Sequence, residues 1–399
     1  DDLNGDYVRV TGHAEINVFG IVKVTGSLGV EKKTNQNLYI SGSTAENVLV
    51  ANANLLTIGL ANVSAFVGFG SLGLQLTNVD LAIALWSEVV PQGQTARSWT
   101  SVMGNVGSAT FAGIEGLMLL ATNVGIVVNK ENASDHTVVD YVKGANEANA
   151  TTLKVSVSPS ATDDVTFAID DLNGDYVRVT GSATIDLFGF VSVSGGFGIE
   201  KKTNQNIVLS TGTANANLLT IGLSDVSAFL GFGQGTANAL GLQLTGIDLA
   251  IALWSEVVPE GQTARSWTSV KASVAFASLV GLSALGLSVT TFGIEVNKEN
   301  ASDHTVVNYV GATATVLDVV VGPGKTVHFD LDGSQGDLIR AFGHVTITIA
   351  NFVTIGGDFG FEKSTSNGVS KILVGAAGIS TFLGTSNESM GVRISNAFF

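Results

Sequence analysis

The sequence predicts an all-β fold: tandem repeats of about 165 residues, mainly antiparallel sheets, in an elongated, closely packed array that is sandwich-like or solenoid-like. Three observations carry the prediction. Whole segments recur letter for letter, as Asp1 to Gly12 (DDLNGDYVRVTG) does at Asp170 to Gly181. Short runs alternate apolar and polar residues with the period of two that a half-buried strand requires, while helix signals are scarce. Turn pairs such as Asn-Gly, Gly-Gly and Ser-Gly punctuate the chain.

The elements follow in order. Tyr7 to Thr11, and later Ala183 to Leu187, read as strands from their β-branched alternation. Gly68 to Gly73 matches the letters G-x-G-x-x-G, but a strand pattern follows where a dinucleotide site needs a helix, so a hairpin loop is expected. Val79 to Leu85 keeps large residues on one side and mostly small ones on the other, as in a strand stacked between sheets and buried on both faces. The string DLAIALWSEVVP at Asp80 to Pro91 recurs at Asp248 to Pro259, and NKENASDHTVV at Asn129 to Val139 recurs at Asn297 to Val307. A third, diverged copy opens near Asp330. The repeats are therefore 1–169, 170–329 and a partial 330–399. Copies differ in length at Ser41 to Asn54 and at Gly233 to Ala239, which marks both places as loop tips. The junctions around Pro159 and at Gly322-Pro323-Gly324 read as tight turns rather than flexible tethers.

Composition bounds the function. The chain has 399 residues, 45% of them apolar, with 48 glycines, 4 prolines and no cysteine. Few prolines suit long, unbroken strands. A net charge of −15 argues against nucleic acid and against electrostatic docking on anionic membranes, because both need clustered Lys and Arg. The uncharged stretch Ala272 to Ile294 is diluted by serines, threonines and glycines, so no transmembrane segment is expected. An outer-membrane barrel would need aromatic girdles, for which 5 Tyr and 4 Trp are few. With no initiator Met and no signal-peptide pattern, the opening Asp1-Asp2 reads as a piece of something longer.

No catalytic constellation emerges, and the chain reads as a non-enzyme. Ser134-Asp135-His136 and its copy Ser302-Asp303-His304 hold the letters of a triad. Neighbours on an extended chain point to opposite faces, so a polar turn is expected there. No cofactor is predicted, with calcium as the one candidate. The acidic turns supply hard oxygen ligands in three places: Asp1, Asp2, Asn4 and Asp6; Asp170, Asp171, Asn173 and Asp175; and Asp330, Asp332 and Asp337. The same residue types also form ordinary turns without metal. Trp86, Trp99, Trp254 and Trp267 suit either packing or a sugar-stacking platform, and each Arg-Ser-Trp triplet suits a cation–π pair.

The ordered strings FVGFG, GLQLTNVDLAIALW, RSWTSV, FAGIEGL and NKENASDHTVVDYV resemble one repeat of giant tandem-repeat bacterial surface proteins of the LEPR-XLL, adhesin-like kind. That resemblance implies an extracellular or cell-surface structural role and carries over no catalytic residues. The expected function is a structural component of an extracellular filament, sheath or cell-surface adhesin. Its partners would be copies of itself, joined end to end or by edge strands. Two alternatives stand beside it. One is a surface-displayed binding module for glycans or a host surface, which needs exposed Trp. The other is a lipid-conducting β-groove, which needs an apolar surface left open along the repeats.

Overall fold

The computed structural model describes residues 5–41, 48–132, 135–143, 149–157, 164–169, 174–282, 284–300, 303–350, 352–366, 369–385 and 389–399. Six long strands open the chain: β1 (Tyr7–Val18), β2 (Val22–Ile40), β3 (Val48–Phe69), β4 (Leu72–Glu88), β5 (Ser98–Ala112) and β6 (Leu117–Glu131). The short strands β7 (Lys154–Val155) and β8 (Val165–Thr166) follow. Six more long strands come next: β9 (Tyr176–Leu187), β10 (Val191–Val208), β11 (Thr213–Phe232), β12 (Leu240–Glu256), β13 (Ser266–Val280) and β14 (Leu285–Glu299). Then come β15 (Asp318–Gly322), β16 (Lys325–His328), a 3-10 turn at Gly333–Gln335, and β17 (Asp337–Ile349), β18 (Val353–Ser366), β19 (Val369–Gly384) and β20 (Gly391–Ala397). The long strands form one antiparallel sheet of sixteen, ordered as they occur in the chain, and the two short pairs form ribbons of their own. The all-β, antiparallel expectation holds.

Recurring strings take corresponding places: DLAIALW lies in β4 and again in β12. The chain divides into two compact units, 1–114 with 119–181 and 200–205, and 115–118 with 182–199 and 206–399.

Alternation explains the strands. In β1, Tyr7, Arg9, Thr11, His13, Glu15 and Asn17 share one face, while Val8, Val10, Gly12, Ala14, Ile16 and Val18 share the other. Its hairpin to β2 turns at Phe19 and Gly20, both left-handed (φ 51° and 71°), a twist that suits the flanking strands. The G-x-G-x-x-G letters form the expected hairpin, with Phe69 opposite Leu72 across Gly70-Ser71. Gly233 to Ala239 is the expected turn, between β11 and β12. At the other length difference, Val48 to Asn54 already belongs to β3, and 42–47 lie outside the described residues. Left-handed Asn62 and Asp225 (φ 52° and 49°) sit at register shifts in β3 and β11. Across the ladder, Asp80 and Asp248 Oδ1 accept their backbone N–H groups at 2.8 and 2.9 Å.

The core of each unit lies between the sheet and the chain that follows β6 or β14. In the first unit this cover, residues 135–143, 149–157 and 164–169, carries Val139, Tyr141, Val155, Val157, Phe167 and Ile169 onto Leu38, Leu55, Trp86 and Trp99. In the second, Val307, Tyr309, Val319, Val321 and Phe329 pack on Ile207, Leu218, Trp254 and Trp267. Small residues on the sheet let the cover approach: a Cβ on Gly29 or Gly59 would collide with the Ser156 carbonyl, and one on Gly198 or Gly222 with that of Val320. The chain around Gly322-Pro323-Gly324 is the turn of the β15–β16 ribbon. Strand β4 is thus covered on its Ala82, Ala84 and Trp86 side by a cover segment, not stacked between sheets: Leu81, Ile83 and Leu85 on its other side are only half-buried.

Candidate functional site

The covered face holds the buried polar groups, which bond the sheet to its cover. Trp86 Nε1 donates to Tyr141 Oη (3.0 Å), which donates to Ser101 Oγ (2.9 Å). Ser101 donates to Asn129 Oδ1 (2.9 Å), and Asn129 Nδ2 donates to the Val139 carbonyl (2.7 Å). The second unit repeats the relay through Trp254, Tyr309, Ser269, Asn297 and Val307 at 2.8–3.0 Å. Three sheet strands and the cover are thereby stitched together with each buried donor in the relay given an acceptor. Burial pushes both tyrosine hydroxyls well above their ordinary pKa, against the opposing effect of their hydrogen bonds to Ser101 or Ser269 and from Trp86 or Trp254. Neither is a proton donor near neutral pH. Sequence reasoning missed this relay, although Tyr, Ser and Asn recur in both copies.

Charged clusters pin the strand pairs. Glu31, almost fully buried, takes Arg9 Nε and Lys33 Nζ at 2.5 Å each and the Tyr7 hydroxyl at 3.1 Å. Glu200 repeats this with Arg178 and Lys202 at 2.6 Å and Tyr176 at 3.2 Å. Burial alone would raise both carboxyl pKa values, but the two cations outweigh it and hold each below the usual range. Arg97 forks onto Glu88 (2.8 and 2.9 Å), reaches Asp135 (3.0 Å) and lies 5.2 Å over the Trp99 ring, as Arg265 does with Glu256, Asp303 and Trp267. The expected Arg–Trp pair is therefore present twice.

The remaining sequence candidates fall as follows. Asp135 and Asp303 are engaged by arginine and by the threonine two residues on, and Ser134 and Ser302 lie outside the described residues. All four tryptophans are buried, with Trp99 and Trp267 each donating Nε1 to a cover carbonyl, Thr137 or Thr305. They offer no platform to a sugar. Of the acidic turns, Asp1, Asp2, Asn4, Asp170, Asp171 and Asn173 lie outside the described residues. Asp6 donates its backbone N–H to Thr34 Oγ1, Asp175 and Asp337 accept the N–H groups of Glu131 and Glu299, Asp330 pairs with Lys271, and Asp332 caps the 3-10 turn. Among the described residues no group of three or more His, Asp or Glu could hold a metal.

The other face of the sheet is apolar and faces no cover among the described residues. In the first unit one cross-strand row reads Val10, Val30, Ile58, Ile83, Val102 and Val128. In the second, Ile221, Ile251, Val270, Val296 and Ile339 form the matching row. Ionised side chains on this face of the paired strands gather at one end. Lys32 and Lys130 flank the row Leu56, Leu85 and Thr100, and Lys201 alternates with Glu200 on β10. Lys298 sits opposite Thr268 and Lys363 opposite Ile339. The one acid, Asp337, is turned onto the Glu299 N–H. At the opposite end the hairpin tips carry exposed phenylalanines, Phe19 and Phe69 in one unit and Phe188, Phe232 and Phe352 in the other. No helix among the described residues is long and apolar enough to cross a membrane.

Comparison with family models, with curated proteins and with solved structures finds no match.

Proposed function

We propose that this chain is a non-enzymatic structural module that extends a β-sheet by strand addition, the working part of an extracellular filament, sheath or cell-surface adhesin. The β14–β17 junction supports this reading most directly. There the first strand of the third copy adds antiparallel to the last strand of the second, from Leu285 opposite Ile349 to Asn297 opposite Leu338. Strand β1 is the counterpart of β17 and, among the described residues, pairs with β2 alone. Its outward ladder suits an incoming β14- or β6-type strand. The Trp–Tyr–Ser–Asn relay of each unit bonds the strands to the cover, and Glu31 and Glu200 bond one strand to the next. The extracellular setting rests on the sequence resemblance, and calcium on acidic turns that mostly lie outside the described residues.

The test is negative-stain electron microscopy of the purified chain, with calcium and with chelator. Ribbons or end-to-end strings are expected, and their loss in chelator would implicate calcium. Thr11→Lys with His13→Lys, which charge the β1 edge on its polar face, should shorten them. Compact separate particles under both conditions would overturn the reading.

A further inference from the structure

We propose that the uncovered apolar face is covered in use by the acyl chains of an anionic lipid layer, with its lysines at the level of the headgroups. The inference goes beyond sheet extension, which uses the edges, and either can fail alone. It starts from a physical demand. Rows such as Ile58, Ile83 and Val102 place large aliphatic side chains over several strands, and each unit has such a face. Six strands about 4.8 Å apart, each apolar over roughly 40 Å, make a patch far larger than the few hundred Å² a solvated protein ordinarily leaves bare.

Charge decides between occupants. A second copy of the same face would bring lysines and no free carboxylate, leaving Lys32, Lys130, Lys298 and Lys363 without a partner across the contact. Anionic headgroups supply that partner along a whole row, while the (CH₂)₄ stems lie on the apolar surface. The net charge of −15 does not oppose this, because apart from Asp337, which is turned onto the Glu299 N–H, the acids of the paired strands lie on the other face: Glu31, Glu88, Glu200 and Glu295 all project there with their cations. The far end agrees. Phe19 is 94% and Phe69 80% exposed at hairpin tips, an arrangement poorly suited to water and well suited to a hydrocarbon boundary. From those tips to the lysine row β4 runs about 40 Å at roughly 3.4 Å per residue, comparable to a bilayer with its headgroups.

The chain contains no cysteine, so single cysteines report cleanly. An environment-sensitive fluorophore on Ile58→Cys or Val10→Cys should shift to the blue with vesicles containing phosphatidylglycerol, and less with pure phosphatidylcholine. The same probe on Gln75→Cys, on the opposite face, should not move. Replacing Lys32, Lys130, Lys298 and Lys363 with glutamine should weaken flotation with phosphatidylglycerol vesicles at least tenfold at low salt. Three results would overturn the proposal: no shift at Ile58→Cys or Val10→Cys with either vesicle, equal shifts on both faces, or a shift without lipid that grows with protein concentration. The last would assign the face to a second copy.

Discussion

Tyr141 is the most constrained side chain of the first unit. Its hydroxyl is the only link in the relay that touches both the sheet tryptophan and the sheet serine while belonging to the cover. Tyr141→Phe keeps the ring against Phe167 and deletes one oxygen, leaving the Trp86 N–H buried without its acceptor. A loss of about 1–3 kcal/mol is expected, read as a lower denaturant midpoint with an unchanged slope. Tyr309→Phe should cost the second unit a similar amount. Nothing in the local pattern around Tyr141 distinguishes it from a loop tyrosine. Its role depends on a partner 55 positions earlier and another 40 earlier, separations that no periodicity argument spans. The Arg97–Trp99 pair, two positions apart, was legible for the opposite reason.

At the scale of elements, what was legible was local and what was not was the layering. Period-two alternation identifies β1 and β9, but the glycine pairs do not identify their turns. These fall at Phe19-Gly20 and Phe188-Gly189, while Gly195-Gly196 and Gly356-Gly357 lie inside β10 and β18, where a pleated strand needs no left-handed residue. The same rule misjudges β4: large residues on one side and small on the other read as burial on both. The small residues Ala82 and Ala84 are the ones under the cover, and the large ones face outward. Small side chains are needed where another backbone sits directly on the sheet, so here size marks contact with the cover. Gly59 tests this. Gly59→Ala places a methyl group against Ser156 and Val157, and the cover must lift or the strand must bend. A loss of about 1–3 kcal/mol is expected, with faster hydrogen exchange in 149–157 than in β4. Uniform exchange across both would show that the cover tolerates the methyl.

For the whole molecule, acid is the informative perturbation. Glu31, Glu200, Glu88, Glu256, Asp135 and Asp303 all titrate below their usual range in the folded chain. A carboxyl with a lowered folded pKa contributes stability above its unfolded value, about 4, and loses it as pH falls through the folded one. Thermal melts should therefore be flat from neutral pH to about 5 and fall steeply below about 4. Glu31→Gln with Glu200→Gln should lower the plateau and flatten the acid limb, and an unchanged limb would place the proton uptake elsewhere. The 45% apolar content is also a whole-molecule property, and it was legible at once. Its location was not, because a strand apolar on its outward side has the same letters as one apolar on its inward side.

The strand order carries one last consequence. Since each long strand of a unit lies beside its neighbour in the chain, the meander contains no crossing that must wait for a distant partner. A ribosome could emit such a chain hairpin by hairpin, each new pair templated on the one already laid down, with the cover closing once its six strands are in place. Copy number would then scarcely burden folding, and a gene could lengthen by duplication without searching for a new topology.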